Sequence, residues 1–295
     1  MTQSNLQGRA LEYIILKRIL DNLGTEKTIL TARAEANQKR DTSKFETLNN
    51  QDKIQHTLYA DRVFTWLKER FYIEKAKVVT IDRLSDTDAV AGDVTDISLD
   101  IDGKKLNLSI KHNHFALKHQ RPPTLAIRCG FIPFGTEDIN YRNSLEDVYS
   151  NFHKERKNLA PNALDFKDLK SISPEFINKN LYLPICELTT KFINSYPLNK
   201  TTAASLFSFL VGNKNFYKIT AINGTIHVQE YADIPNPVSV TAETKGDSYV
   251  LLKFSNNWVL SLRLHTAKTA ITDNPSLKFD TQAIENPIPE EILSK

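Results

Sequence analysis

Three polar residues in a predicted β-hairpin have types and a spacing that suit phosphodiester hydrolysis. Asp96 stands at the start of the first strand, and Ser109 and Lys111 stand near the end of the second. A carboxylate there could bind a divalent cation through hard oxygen ligands. A neighbouring lysine could position an attacking water and offset negative charge in the transition state. The alternative is an ordinary solvated hairpin face, because an aspartate opposite a polar-x-lysine is a loose pattern.

The hairpin register would bring these residues together. Residues 95–101 alternate apolar and polar side chains, which is typical of a half-buried strand. The Asp-Gly pair at 102–103 favours a two-residue type I′ turn, whose central positions both need a positive φ. With that turn Asp96 lies opposite Ser109, and Lys111 lies one diagonal step away on the same polar face.

Charge changes sign along this part of the chain. Residues 82–102 contain seven aspartates and one basic residue, Arg83, whereas residues 103–136 contain no acid. Such neighbouring blocks could hold a cation beside a polyanion. The basic side chains after the hairpin suit phosphate and base-edge contacts, and a solvated basic loop is the alternative. The predicted DNA contacts here are His112, Asn113, His114, Lys118, His119, Gln120 and Arg121.

Other chemistries lack their usual signals. The three histidines of this segment do not have the spacing of a recognised helical zinc motif. The chain has no phosphate-binding glycine-lysine loop, no G-x-S-x-G elbow and no G-x-G-x-x-G fingerprint. Zinc binding, acyl transfer and nucleotide-dependent chemistry are therefore disfavoured.

A strand near the carboxyl terminus supplies further candidates for DNA binding. Residues 258–265 alternate, with Trp258 and three leucines on one face and polar side chains on the other. We predict that Arg263, His265 and Lys268 contact DNA. The alternative is an edge strand whose charges prevent pairing with other chains.

The pattern along the chain predicts a mixed α/β fold in three parts. Residues 1–135 form a core of helices and strands that carries the hairpin and the basic loop. Within that loop, residues 115–119 are expected to form a short helical turn and residues 124–129 a strand. Residues 136–212 are mainly helical, and residues 213–295 are rich in β-structure, pack with the core and contribute to DNA binding.

Composition limits the class of protein and its location. Hydrophobic residues make up 40% of the 295 residues and charged residues 25%, as in ordinary globular chains. The net charge is only +3, and the two cysteines are too few for a disulfide scaffold. No apolar run reaches the ~20 residues needed to span a bilayer, and no secretion signal opens the chain. We therefore expect no membrane association and a cytoplasmic location.

These residues together resemble a known nuclease core. Asp96, the Ser109-to-Lys111 segment and Glu12 on the first predicted helix are similar to the PD-(D/E)XK superfamily. The run SIKHNHFALKHQRP at 109–122 resembles type II restriction endonucleases of the HaeIII family more specifically. LRLHTA at 262–267 and PSLKFD at 275–280 also resemble the end of that family's sequence. The likeness thus touches the beginning, middle and end of the chain.

The resemblance implies a central mixed sheet flanked by helices and Mg²⁺-dependent cleavage of short palindromic double-stranded DNA, with GGCC as the first guess. A palindromic target suggests a homodimer on DNA, and a restriction enzyme implies a cognate DNA methyltransferase. Ser109 departs from the superfamily, which usually has an acid there. The second metal ligand could instead be Glu12, Asp93 or Asp100, although Glu12 could equally be a carboxylate on a helix surface.

The leading hypothesis is therefore a site-specific DNA endonuclease. In it Asp96, Ser109, Lys111 and Glu12 are the catalytic residues, and Asp96, Glu12 and Asp93 are the metal-ligand candidates. The alternative is a non-catalytic DNA-binding protein that retains a nuclease scaffold, which the missing acid at Ser109 makes plausible.

Overall fold

A computed structural model describes residues 3–84, 93–113 and 116–293 of the chain, with side chains from Leu6 onward. The described residues form two compact units. The first unit draws on residues 1–115, 213–234 and 288–295, and the second on residues 116–212 and 235–287. Each unit combines segments that are distant in sequence, because strands from these segments pair within one sheet. The predicted organisation in three parts stays a prediction.

The elements are as follows in chain order. The helices are α1 (Gln3–Leu23), α2 (Ala32–Glu46), α3 (Asn50–Phe71), α4 (Leu125–Arg128), α5 (Thr136–Leu159), α6 (Phe166–Ile172), α7 (Leu183–Asn194) and α8 (Lys200–Val211). The strands are β1 (Thr28–Leu30), β2 (Val79–Arg83), β3 (Ile97–Ile101), β4 (Lys104–His112), β5 (Ala116–Gln120), β6 (Phe216–Ile222), β7 (Thr225–Tyr231), β8 (Val240–Lys245), β9 (Tyr249–Phe254), β10 (Trp258–Thr266), β11 (Leu277–Glu285) and β12 (Glu290–Leu293).

The first unit contains a mixed sheet with the strand order β1-β2-β3-β4-β6-β7-β12. The pairs β1–β2 and β4–β6 are parallel, and the other pairs are antiparallel. Its apolar face packs against α1 and α3, because alternate strand residues and the inward helix residues form one buried cluster. The predicted fold class, a mixed sheet flanked by helices, is confirmed.

The hairpin that carries the candidate site has the predicted register. Ser98 pairs with Asn107 and Leu99 with Leu106. The turn residues Asp102 and Gly103 have φ values of 50° and 89°, so both lie in the left-handed region that a type I′ turn requires. The turn therefore sets the alignment of the two strands that carry the polar residues.

Helix α2 brings a charged side chain into the interior of the first unit. Its amino terminus is capped by Thr31, whose hydroxyl accepts a hydrogen bond from the Ala34 amide at 3.1 Å. The helix packs against both α1 and β2. One consequence is that Asp41, two turns further on, is fully buried.

The second unit contains an antiparallel sheet with the order β5-β11-β10-β9-β8. Strand β10 buries Trp258, Leu260, Leu262 and Leu264, which confirms the predicted apolar face. It lies between β9 and β11, so the alternative that it is an edge strand is wrong.

Two local predictions in the basic loop are wrong. Ala116–Gln120 is the strand β5, because its backbone pairs with β11, a partner that local sequence does not reveal. The predicted strand at 124–129 is instead helical, with a 3-10 turn at Pro122–Thr124 leading into α4. Two consecutive prolines fix φ near helical values and favour the start of a helix.

Candidate active site

Asp96 lies just before β3 and accepts three hydrogen bonds from β4 through one carboxylate oxygen. Its Oδ2 accepts from the Ile110 amide at 2.6 Å, from Lys111 Nζ at 3.0 Å and from Ser109 Oγ at 3.4 Å. Within the described part of the chain, no donor contacts Oδ1. The carboxylate is thus held in place while one of its oxygens stays available to another partner.

The predicted contact between Asp96 and Lys111 is present. The Asp96 amide donates to the Leu108 carbonyl at 2.8 Å, so the hairpin ladder continues as far as the aspartate. The two charged side chains remain partly exposed, at 23% and 15%. Water or a substrate could therefore reach the ion pair.

Glu12 is buried on the inner side of α1, so the alternative that it is a helix-surface carboxylate is wrong. Burial raises its pKa, and the nearby negative charge of Asp96 raises it further, whereas Arg9 and Arg83 act in the opposite direction. Helix α1, which carries Glu12, packs against β4. Glu12 Oε2 accepts from Arg83 Nη2 at 2.5 Å and from Arg9 Nη1 at 3.1 Å.

Asp93 has different partners. Lys214 Nζ donates to its Oδ2 at 2.6 Å, and the Thr95 amide donates to its Oδ1 at 3.0 Å. Burial would raise the pKa of Asp93, but the hydrogen bonds from Lys214 and Thr95 outweigh it and lower that pKa. Asp93 thus has both oxygens engaged.

Across the described ranges, the structure has no group of three or more His, Cys, Asp or Glu side chains arranged to hold a metal ion. Asp96 and Glu12 therefore stay predicted metal-ligand candidates. Asp100, the remaining candidate for the second ligand, accepts the Gly103 amide at 2.7 Å in the turn.

A lysine that sequence reasoning missed lies beside Ser109. Lys218 on β6 pairs in register with Ser109, so both side chains project from the same face of the parallel pair. Only 3% of Lys218 is exposed. Burial lowers its pKa to about 7, and the positive charge of Lys111 contributes to this. The signal in the sequence was its place at an inward position of an otherwise apolar strand.

The residues predicted to contact DNA are divided between the two units. In the first unit, His112 packs against His56, with ring centroids 4.7 Å apart. Burial lowers the pKa of His112 to about 4, and the neighbouring His56 contributes. Asn113 is exposed and its backbone has a φ of 55°. His114 lies outside the described residues.

In the second unit, two predicted contacts are buried. Gln120 is fully buried, and its Nε2 donates to the Arg121 carbonyl at 2.6 Å. Lys118 is 9% exposed and places its Nζ 4.2 Å from the ring centroid of Phe209, which Arg128 approaches at the same distance.

The other predicted contacts of the second unit reach solvent. Asp280 on β11 links two of them: its Oδ1 is 2.5 Å from His119 Nδ1, and its Oδ2 is 2.7 Å from His265 Nε2. Arg263 is exposed and pairs in register with Asp280. Arg121 and Lys268 are also exposed.

The fold and the hairpin geometry together define a candidate phosphodiester hydrolase. A family model described as "HaeIII restriction endonuclease" matches residues 8–234. The chain therefore belongs to the HaeIII restriction endonuclease family, as the sequence resemblance predicted. Membership confirms the enzyme class, a type II site-specific deoxyribonuclease, and does not favour the non-catalytic alternative.

One relative matches over nearly its whole length. The chain is 24% identical to "Type II restriction enzyme HaeIII" of Haemophilus aegyptius over 97% of this chain and 95% of the relative. No solved structure matches. The family implies double-stranded DNA as partner and a divalent cation in general. None of the helices in the described ranges has the length and apolar character needed to cross a membrane.

Proposed function

We propose that the chain is a Mg²⁺-dependent restriction endonuclease of the PD-(D/E)XK type whose reaction centre is the β3–β4 hairpin. The observation that carries the proposal is the 3.0 Å contact between Lys111 Nζ and Asp96 Oδ2. It joins an anionic ligand and a cationic group at a partly exposed position, the combination that phosphodiester hydrolysis requires.

The donor set fits Mg²⁺. Asp96 has an oxygen to which no described residue donates, and the buried Glu12 lies on α1, which packs against β4. Mg²⁺ is commonly bound by one or two carboxylates together with waters and substrate phosphate, so two carboxylates suffice. Bound there, Mg²⁺ would polarise the scissile phosphate and lower the pKa of the attacking water.

The residues of the chain have distinct roles in this proposal. Lys111 orients the attacking water and offsets the charge that develops on the phosphate. Ser109 contributes a hydroxyl that helps to orient Asp96. Glu12 takes the place of the acid that is absent at Ser109. We give Asp93 a structural role, since Lys214 and Thr95 engage both of its oxygens.

The proposed DNA contacts are the exposed or half-buried members of the predicted set that are not packed against other side chains. In the first unit this is Asn113. In the second unit these are His119, Arg121, Arg263, His265 and Lys268, of which several share the exposed face of the sheet. We leave out His112, Lys118 and Gln120 because they are packed against other side chains or buried. His114 stays a prediction.

Family resemblance and symmetry support a proposal for the target and the assembly. We propose a short palindromic recognition sequence, with GGCC as the first to test, since the sequence resemblance to the HaeIII family implies it. A palindrome is matched most simply by a two-fold dimer that cuts each strand once. A restriction enzyme also requires a cognate DNA methyltransferase to protect the host's own sites.

Incubation with unmethylated plasmid DNA, with and without Mg²⁺, tests the proposal. Discrete fragments that require Mg²⁺ are expected from the parent protein and from Asp147→Ala, which changes an exposed aspartate of α5. Asp96→Ala should give none. Sequencing the cleaved ends then reports the target and the cut position. Specific retention of DNA without any nicking would instead indicate a binding protein.

A further inference from the structure

A buried arginine in contact with Glu12 connects β2 with the helices α1 and α2. Arg83, at the end of β2, is 1% exposed. Its Nη2 contacts Glu12 Oε2 on α1 at 2.5 Å and Asp41 Oδ2 on α2 at 3.0 Å. Its Nη1 lies 3.4 Å from Gln38 Oε1, also on α2. The guanidinium is thus fixed from several directions.

Asp41 has two basic partners besides Arg83. Its Oδ1 accepts from Arg40 Nε at 2.8 Å and from Lys44 Nζ at 2.7 Å, both on its own helix. Burial would raise the pKa of Asp41, but the hydrogen bonds from Arg40 and Lys44, together with the charges of Arg83 and Arg40, lower it to about 2. Asp41 is therefore a stable anchor, and its main effect on Arg83 is to fix the direction of the guanidinium.

The fixed guanidinium restricts Glu12 in turn. A glutamate side chain has several rotatable bonds, and ordering them on ligand binding costs conformational entropy. Arg83 and Arg9 both contact Oε2, and in the described structure no donor reaches Oε1. A planar guanidinium donates in fixed directions, so this contact orients the carboxylate as well as attracting it.

We infer that Arg83 is a positioning residue, anchored by Asp41, that holds Glu12 ready to bind the divalent cation. The inference rests on the proposed function, because it takes Glu12 to be a cation ligand. It assigns a role to a buried ion network that would otherwise serve only to connect two helices and a strand. Residues that orient a metal ligand typically change metal affinity by about 10- to 100-fold when they are replaced.

The test measures cation binding in the absence of DNA and of cleavage. Mn²⁺ is the probe, since it prefers the same oxygen ligands as Mg²⁺ and the free ion is quantified by electron paramagnetic resonance. Arg83→Met should weaken Mn²⁺ binding by about 10- to 100-fold. Arg83→Lys should recover only part of the loss, because one ammonium cannot reproduce the planar fork.

Two controls separate this role from lost stability and from failure of the proposed function. Arg142→Met breaks an ion pair to the fully buried Asp138 in the second unit and should leave Mn²⁺ affinity unchanged. Glu12→Gln should abolish the contribution of the Glu12 carboxylate to Mn²⁺ binding. Unchanged Mn²⁺ affinity in Glu12→Gln would reject Glu12 as a ligand and the role of Arg83 with it, whereas failure of Mg²⁺-dependent DNA cleavage by the parent protein would reject the proposed function.

If Glu12→Gln binds Mn²⁺ more weakly than the parent but folded Arg83→Met binds it equally well, only the role of Arg83 is overturned. Circular dichroism reports which variants fold. If Arg83→Met does not fold, Arg83→Lys decides the question, because it keeps the charge and loses the fork. Mn²⁺ affinity equal to that of the parent in Arg83→Lys would then overturn the inference.

Discussion

Asp96 in the first unit and Asp280 in the second are both strand-associated carboxylates that contact basic groups on a neighbouring strand, but they use their oxygens differently. The three donors to Asp96 converge on Oδ2. Asp280 contacts His119 through one oxygen and His265 through the other. Burial would raise the pKa of Asp280, but its contacts with these histidines and the charge of Lys278 hold it well below the usual range.

The difference separates a site suited to chemistry from a surface suited to binding. Asp96 retains an oxygen that can accept a cation. Asp280 has none left, and its effect is to organise positive side chains on the exposed face of a sheet. His265 illustrates this, because its Nδ1 faces the Thr266 carbonyl at 3.0 Å while its Nε2 faces Asp280 at 2.7 Å, so the ring is held in one orientation. Changes in the first unit should therefore reduce rate, and changes in the second should reduce affinity.

Lys111→Ala should give the largest effect. We expect DNA cleavage to fall by about 10²- to 10³-fold, the usual value of one electrostatic group in a preorganised site. DNA affinity, measured with Ca²⁺ replacing Mg²⁺ to suppress cutting, should change much less. Lys105→Ala, at an exposed position of the same strand, is the matched control and should cut like the parent. A folded Lys111→Ala protein that cuts at the parent rate would rule out this site.

Arg263→Ala should give the opposite pattern, a loss of affinity with little change in the cleavage rate of bound DNA. If Arg263 contacts a phosphate, binding should weaken on all sequences and the slope of affinity against salt should fall by about one. If it reads guanine, the loss should be about 1–3 kcal/mol and confined to the preferred target.

The control for this experiment is Lys179→Ala, which removes an exposed lysine paired with Glu175 on another part of the second unit. Titrations at several salt concentrations distinguish the two roles of Arg263. If Arg263→Ala binds every DNA as tightly as the parent, Arg263 neither contacts a phosphate nor reads guanine. The sheet face that carries Arg263 would then no longer belong to the proposed DNA interface.

Acid should affect the first unit through its histidines. Burial lowers the pKa of His112 to about 4 from an ordinary value of 6.5, so the unfolded chain binds more protons than the folded one between these values. The free energy of unfolding should therefore decrease as pH falls from about 6.5 to about 4. Urea denaturation of the parent and of His112→Gln at several pH values checks this, with a flatter profile expected for the variant. Superimposable profiles would contradict it.

Asp93→Asn should have the smallest effect on the reaction. The asparagine retains an oxygen for the Thr95 amide but loses the ion pair to Lys214, a largely exposed lysine, so we expect a loss of stability of about 1 kcal/mol. Mn²⁺ affinity should not change, since Asp93 is not a ligand in our proposal. A tenfold weaker affinity for Mn²⁺ would place Asp93 beside Asp96 as a ligand and alter the assignment.

The features that the sequence predicted correctly are those determined by residues close together in the chain. The turn at Asp102 and Gly103 and the alternation of residues 95–101 determine the hairpin register, and the register alone brings Lys111 to Asp96. The alternating face of β10 was predictable for the same reason. Periodicity and turn chemistry act over a few residues, so these features need no knowledge of the rest of the chain.

What the sequence did not predict depends on partners distant in the chain. Gln120 was predicted to contact DNA, but it lies on β5, which pairs with β11, and its side chain is fully buried. Lys218 becomes a neighbour of Ser109 only through the parallel pairing of β4 and β6. Arg83 was one basic residue in an acidic stretch, and its role depends on two helices that meet around it. Tertiary burial of polar groups leaves little trace in a single sequence.

The parallel pairing of β4 with β6 also bears on how the molecule is made. All of residues 113–215, which include most of the second unit, are synthesised between these two strands. A nascent chain that ends before Phe216 can form the β3–β4 hairpin, but β4 is then an unpaired edge, with Lys111 on it and no Lys218 beside Ser109. Pairing of such distant segments is slow, because a long loop must close before the contacts form. The pairing of β4 with β6, and with it the position of Lys218 beside Ser109, is thus possible only once residue 222 of 295 has been synthesised.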